Sequence, residues 1–307
     1  MTPRQLAAFA FLAVAWGSSF LFIRVLVTHG LTPLGVSLSR TSLGLLVLLP
    51  LAWRVRHAFP KDRRTWAILA ALGAVNFAAP WTLFGLGARY VPSGVGTIAN
   101  ASNPLWAAAL AILFVPSERV SPARVAGLTA GFFGVAVLMQ ERVAGFDRES
   151  LLGIPPMLLA TFCYAVSALA IRRWLPHVPA LALTVGQVAW ATVFLAPAAL
   201  ATHAFNEIDF GWREWASLAA LGSIGSGLAV VAYMQLIREM GAVRASVVTY
   251  LMPPVGIFLG WLLLNESLTW SMAAGSTLIL GGVALVQFGL PFLAGVRRSA
   301  PVAPPAP

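Results

Sequence analysis

Apolar residues in this chain run in long stretches, each about 20 residues, separated by short polar segments; a bilayer core of about 30 Å asks that length of a helix. The stretches fall at 6 to 28, 34 to 53, 66 to 88, 94 to 115, 123 to 140, 151 to 171, 179 to 201, 214 to 236, 243 to 264 and 270 to 292. Gly and Pro recur inside them, as in membrane helices rather than soluble ones. The pattern predicts an all-α integral membrane protein with ten transmembrane helices. The first stretch is too long for the apolar core of a secretory signal and lacks a small-x-small cleavage site, so it is expected to be a true span.

The pattern also repeats. Trp66-Ala67-Ile68-Leu69-Ala70-Ala71-Leu72-Gly73 recurs 149 positions later as Trp215-Ala216-Ser217-Leu218-Ala219-Ala220-Leu221-Gly222, seven of eight residues being identical. Pro104 matches Pro253 at the same shift; at a shift of 148, Trp16 to Arg24 match Tyr164 to Arg172, Glu118 matches Glu266 and Gly134 matches Gly282. Each copy holds five spans, an odd number, so the second enters the membrane in the opposite sense to the first. The expected organisation is a first five-helix repeat at 1–140, a periplasmic linker at 141–150, an inverted second repeat at 151–292 and a disordered cytoplasmic tail at 293–307. Inverted repeats in a lipid-embedded chain mark transporters, with the substrate site where the copies meet.

Composition sharpens this. With 59% hydrophobic and 10% charged residues, against about 25% charged in soluble domains, the chain cannot cover itself with polar surface. Its net charge of +10 is explained by position rather than by a nucleic-acid partner. If the N-terminus is cytoplasmic, fourteen of the twenty cations lie inside, including Arg54, Arg56, Lys61, Arg63 and Arg64 of one loop. The positive-inside rule then puts both termini in the cytoplasm, and the expected location is a bacterial inner membrane. The single cysteine, Cys163, excludes an internal disulfide and reads as a small helix residue.

Two cations remain inside spans. Arg24, near the end of its span, is expected to snorkel to the interface. Arg40 lies six residues into the second span, about 9 Å deep at 1.5 Å per residue, where a charge costs roughly 2.5 to 3.5 kcal/mol on insertion scales. It either docks a substrate carboxylate or phosphate, or is held by helix-end carbonyls and cavity water. At a shift of 147, Arg40 aligns with Gln187 and Ser37 with Thr184, so one face is polar in both copies. Gln187 equally suits an interhelical hydrogen bond. The fourth span carries Thr97, Asn100 and Asn103 before Pro104; the ninth carries Ser246, Thr249 and Tyr250 before Pro253 and Pro254. A proline leaves a carbonyl unpaired one turn earlier, and broken helices at matching places in two halves point to a binding site; a plain kink relieved by side chains is the alternative. Trp16, Ser19, Asn76, Trp81, Tyr164 and Tyr233 complete the candidate cavity, although packing explains most buried aromatics equally well.

No carboxylate is expected well inside a span, and His29, His57, His177 and His203 sit in loops or at their edges. The proton relay of a pump is therefore not expected; a facilitator, an exchanger or a carrier coupled through its substrate is. No phosphate-binding glycine loop, metal cluster or nucleophile with a base is found, so the reading is of a non-enzyme without cofactor or metal. Its partners are a small-molecule substrate and the lipid bilayer, and it is expected to work as a monomer. A membrane-embedded enzyme or a receptor would need clustered catalytic groups or an output domain.

Four features together resemble the drug/metabolite transporter superfamily and its ten-helix EamA-type branch: AWGSSFLFIR (15–24), Arg40, ANASNPLWAAALAILFVPSERVS (99–121) and TYLMPPVGIFLGWLLLNESLT (249–269). The proline in the fourth helix of each copy, followed by a terminal Glu118 or Glu266, is specific to that family; Ser117 and Asn265 stand where members often have Gly. The resemblance covers the whole chain. It implies a central cavity between the copies, alternating access and export of small metabolites, amino acids first and aromatic ones as the narrower expectation; a multidrug or other metabolite carrier is the alternative. It also implies that Glu118 and Glu266 anchor helix ends.

Overall fold

The computed structural model describes residues 2–114, 121–144, 148–205, 208, 210–240 and 245–288. Glu118 and the expected tail 293–307 lie outside the described residues. Among the described residues the structure is helical, without strands. In chain order we label α1 Pro3–Thr28, α2 Pro33–Arg54, α3 Arg63–Ala88, α4 Ser93–Phe114, α5 Pro122–Ala144, α6 Arg148–Trp174, α7 Ala180–Ala201, α8 Trp212–Leu236, α9 Val248–Leu264 and α10 Trp270–Phe288. Seven of these are long and apolar enough to cross a membrane; in α5, α9 and α10 the apolar stretches are shorter, Val125–Val137, Val248–Leu264 and Trp270–Leu285.

Local chemistry sets the ends. Thr2 and Gln5 form a capping box on α1, the Thr32 hydroxyl caps α2 ahead of Pro33, and Asp62 caps α3 by accepting from the Thr65 amide at 2.8 Å; each satisfies amides that a helix start leaves unpaired. α9 stops at Asn265, whose left-handed backbone (φ 52°) ends the helix. α5 runs to Ala144 and α6 starts at Arg148, so helix occupies most of the expected linker 141–150.

Several rods are interrupted, and the interruptions matter for function. α1 breaks at Ser18 between Pro3–Gly17 and Ser19–Thr28. α3 widens into a π-turn at Ala74–Ala78, and α8 into a longer one at Ala220–Leu228. α4 divides into Ser93–Asn100 and Asn103–Phe114, and a 3₁₀ segment Ser246–Leu251 that runs into α9 precedes its α-helical part Met252–Leu264. The expected proline breaks take a particular form: Pro104, Pro253 and Pro254 sit in the first turn of the restarted helix, where a missing amide proton costs nothing.

Packing gathers these rods around one main core. Ile23, Phe84, Val95, Ile98, Leu105, Ile154 and Met157 of α1, α3, α4 and α6 are buried together. α5 and α10 pack along their lengths through small residues: a Cβ on Gly282 would lie 2.5 Å from the Gly127 carbonyl oxygen and 2.6 Å from the Gly131 nitrogen. Helices in lipid associate by such close backbone approach, since burying apolar side chains gains little there. Leu46, Leu113, Phe114, Phe133, Phe258 and Leu263 stay exposed on the outside, as a lipid-facing surface requires.

Candidate functional site

The interruptions converge on a cavity of about 440 Å³ lined by residues from α1 to α4 and α6 to α9. Both π-turns contribute to its lining: Asn76 and Phe77 come from the first, Gly225 and Ser226 from the second. A π-turn adds a residue to one helical turn and so turns carbonyls and side chains out of register, which is why such turns recur at functional sites.

Arg40 is the one charged residue among the described lining residues, and it is only 8% exposed. Its Nε donates to Ser226 Oγ at 2.7 Å, while that hydroxyl donates to the Leu221 carbonyl at 3.0 Å. The guanidinium lies over the Trp81 ring, 3.9 Å from its centroid, a cation–π contact that gains strength when desolvated. One Arg edge is thus fixed by a serine and one face by an indole. Among the described residues the cation is satisfied by neutral groups, and no carboxylate lines the cavity beside it.

Aromatic and amide groups surround it. Trp16 donates from Nε1 to the Gly225 carbonyl at 3.0 Å and meets Tyr233 edge-on at 5.1 Å. Tyr164 faces Phe84 at 6.0 Å between centroids. Ser19 donates to the Ala15 carbonyl at 2.9 Å and Thr184 to the Ala180 carbonyl at 2.9 Å. Asn76 donates to Gln187 Oε1 at 2.8 Å, and Asn100 points its amide at the Met252 sulfur at 3.8 Å. Asn103 and Thr249 also line the cavity; the Asn103 amide oxygen is buried without a hydrogen-bond partner among the described residues.

Three expected cavity residues lie elsewhere. Ser37 is buried and bolts α2 to α3, donating to the Pro33 carbonyl at 2.9 Å and accepting from Thr82 at 3.1 Å. Gln187 is likewise buried and acts as the interhelical acceptor for Asn76. Tyr250 packs against the main core, its hydroxyl buried and without a hydrogen-bond partner among the described residues. Conversely, sequence reasoning passed over Phe77, Phe84, Gly225, Ser226 and Met252, all cavity residues. One signal was available: the run Gly222-Ser223-Ile224-Gly225-Ser226-Gly227 is too poor a helix former to pass unremarked inside a span.

The cavity opens at one end, where lining residues Ala168 and Ala180 are exposed. At the other end Phe20 and Phe84, 5% and 2% exposed, close it. No group of His, Cys, Asp or Glu that would hold a metal occurs among the described residues. The arrangement suits reversible binding of a small amphipathic molecule, with an aromatic enclosure for its body and a cation for an acidic group.

A family model described as the EamA-like transporter family matches residues 5–140 and 151–288. A "Probable amino-acid metabolite efflux pump" of Salmonella typhimurium is 27% identical over 302 residues, covering 94% of this chain and 95% of that protein. A "Probable terminal-alkyne amino-acid exporter" of Streptantibioticus cattleyicolor is 27% identical over 276 residues, with 89% and 90% covered. A solved crystal structure, 20% identical, superposes with a TM-score of 0.65 over 97% of this chain and 100% of its own, a likeness of fold.

Proposed function

The chain belongs to the EamA-like transporter family of the drug/metabolite transporter superfamily, and on that premise we propose that it exports small carboxylate-bearing metabolites, amino acids first and aromatic ones among them. Transport proceeds by alternating access to the cavity around Arg40, between two inverted five-helix repeats at 1–140 and 151–292. Ten spans then leave both termini on the cytoplasmic side of a bacterial inner membrane, with 141–150 joining the repeats outside. The carrier works as a monomer.

The observation that carries this reading is Arg40. A cation at this depth is costly unless it has a partner, and here Ser226 and Trp81 hold the guanidinium while no carboxylate among the described residues pairs with it. A substrate carboxylate supplies the compensation on binding and takes it away on release. Charge-assisted hydrogen bonds contribute about 1.5 to 3 kcal/mol each, enough for selective but reversible binding. Trp16, Tyr164, Tyr233 and Trp81 provide flat apolar walls for a side chain. The two relatives named above, a "Probable terminal-alkyne amino-acid exporter" and a "Probable amino-acid metabolite efflux pump", support this reading. The alternative, a multidrug carrier for cationic aromatic compounds, draws on the same walls but meets repulsion from Arg40.

A thermal-shift screen of purified protein tests the proposal. A ligand at a hundredfold excess over its dissociation constant stabilises the folded state by about 2.7 kcal/mol. Phenylalanine, tryptophan and leucine are expected to raise Tm, and phenethylamine, which lacks the carboxylate, is not. Shifts from the amine with none from any carboxylate would favour the multidrug alternative.

A further inference from the structure

The closed end of the cavity has a second layer. One turn beyond Phe20 and Phe84, whose rings meet edge-on at 5.0 Å, lie Arg24 and Ala88. Arg24 donates from Nη1 to the carbonyls of Ala88, at 2.8 Å, and Val91, and its Nε lies 3.6 Å from Glu266 Oε1. The Glu266 carboxylate, 8% exposed, also accepts from the Ser93 amide at 2.7 Å, the Ser93 hydroxyl at 2.9 Å and the Gly94 amide at 3.3 Å. A carboxylate at a helix start satisfies unpaired amides and opposes the helix dipole. Gly260 makes room for it, since a Cβ there would collide with Glu266 Oε2.

Two facts give this cluster a role in transport. Glu266 belongs to the C-terminal half of the chain, whereas Arg24, Ser93 and Gly94, the partners of its carboxylate among the described residues, belong to the N-terminal half, so any motion that separates the halves at this end must break these bonds. The cluster also lies between two spaces: the Arg40 cavity on one side, and on the other a hollow of about 360 Å³ lined by Arg24, Thr28, His29, Pro92, Asn265 and Glu266. Beside it, His29 Nε2 and Glu214 Oε1, 3.6 Å apart, form a second crossing contact. We propose that Arg24, Glu266 and the Ser93–Gly94 amides form the latch that keeps this end shut while the other is open, and that its release admits the alternate conformation. Arg24 and Glu266 are positioning residues of the transport cycle: they set which end is open without touching substrate in the cavity.

Accessibility of a buried reporter tests the latch without any substrate. Val95, on α4 beneath Ser93, is 3% exposed. With Cys163→Ala removing the single cysteine, Val95→Cys is expected to react slowly with a maleimide in detergent-purified protein. Glu266→Gln and Arg24→Met should each speed that reaction by roughly tenfold, the response to a tenfold shift in a two-state equilibrium. Arg24→Lys should keep it near the parent rate, and an exposed Leu268→Cys control should label equally in all backgrounds. If Glu266→Gln does not yield monodisperse protein, Arg24→Met decides. The latch is overturned if the folded variants label Val95→Cys at the parent rate, if Arg24→Lys behaves like Arg24→Met, or if the Leu268→Cys control accelerates alongside.

Discussion

Arg40 is fixed on two sides by groups that do not neutralise it, the Ser226 hydroxyl and the Trp81 ring. On the proposed function, Arg40→Gln weakens carboxylate-bearing ligands by one to two orders of magnitude, the equivalent of about 1.5 to 3 kcal/mol, while binding of the matching amines does not fall; isothermal calorimetry separates the two. Ser226→Ala leaves Arg40 in place but loose, and a rise in dissociation constant of about fivefold is expected from losing about 1 kcal/mol of hydrogen bonding; an unchanged constant would show that the serine does not orient the cation. Asp62, far from the cavity, provides a pH test. The Thr65 amide hydrogen bond holds its carboxyl below the usual carboxylate value. Its folded pKa is therefore lower than its unfolded one, so its stabilisation is present above the unfolded value and is lost as pH falls through the folded value. Parent protein should lose Tm faster than Asp62→Asn as pH drops through the carboxylate range, and parallel curves would contradict this. Arg40 was legible in the sequence because depth in a span can be counted. Ser226 was not, because its partner lies 186 residues away and nothing local marks the pairing.

The helices themselves were legible because their length is dictated by the membrane: the apolar run at 34 to 53 became Pro33–Arg54, and that at 179 to 201 became Ala180–Ala201. Their interruptions were only half legible. Prolines announced breaks in α4 and α9, yet they mark where the helix resumes. The π-turns carry no proline, and the contacts their residues make, Asn76 with Gln187 and Ser226 with Arg40, are with residues far away in sequence. The candidate polar residues therefore sorted by geometry: Asn76 and Asn100 face the cavity, whereas Ser37 and Gln187 tie helices together. The α5 and α10 pair offers a test at this scale. Gly282→Ala forces a methyl against backbone atoms and should cost about 1 to 3 kcal/mol by overpacking, visible as a lower Tm. Gly281→Ala, where nothing lies within 4 Å, should leave Tm nearly unchanged; equal effects would refute the close-packing account.

At the scale of the molecule, the proposed transport cycle makes a cavity open at one end and latched at the other one member of a pair of conformations. The transition asks for rigid-body movement of packed units about a fixed site, a common way for carriers to alternate access. Sequence repetition gave reason to expect two units; which residues close each end depended on contacts between halves, as with Glu266 of one and Ser93 of the other. The central claim is that the Arg40 cavity carries carboxylate-bearing metabolites across the membrane. Counterflow in proteoliposomes loaded with unlabelled phenylalanine tests it most directly. Parent protein should accumulate labelled phenylalanine transiently, and Arg40→Gln should abolish most of that accumulation. Absence of counterflow by monodisperse parent protein across a broad amino-acid panel, or full counterflow by Arg40→Gln, would contradict the claim.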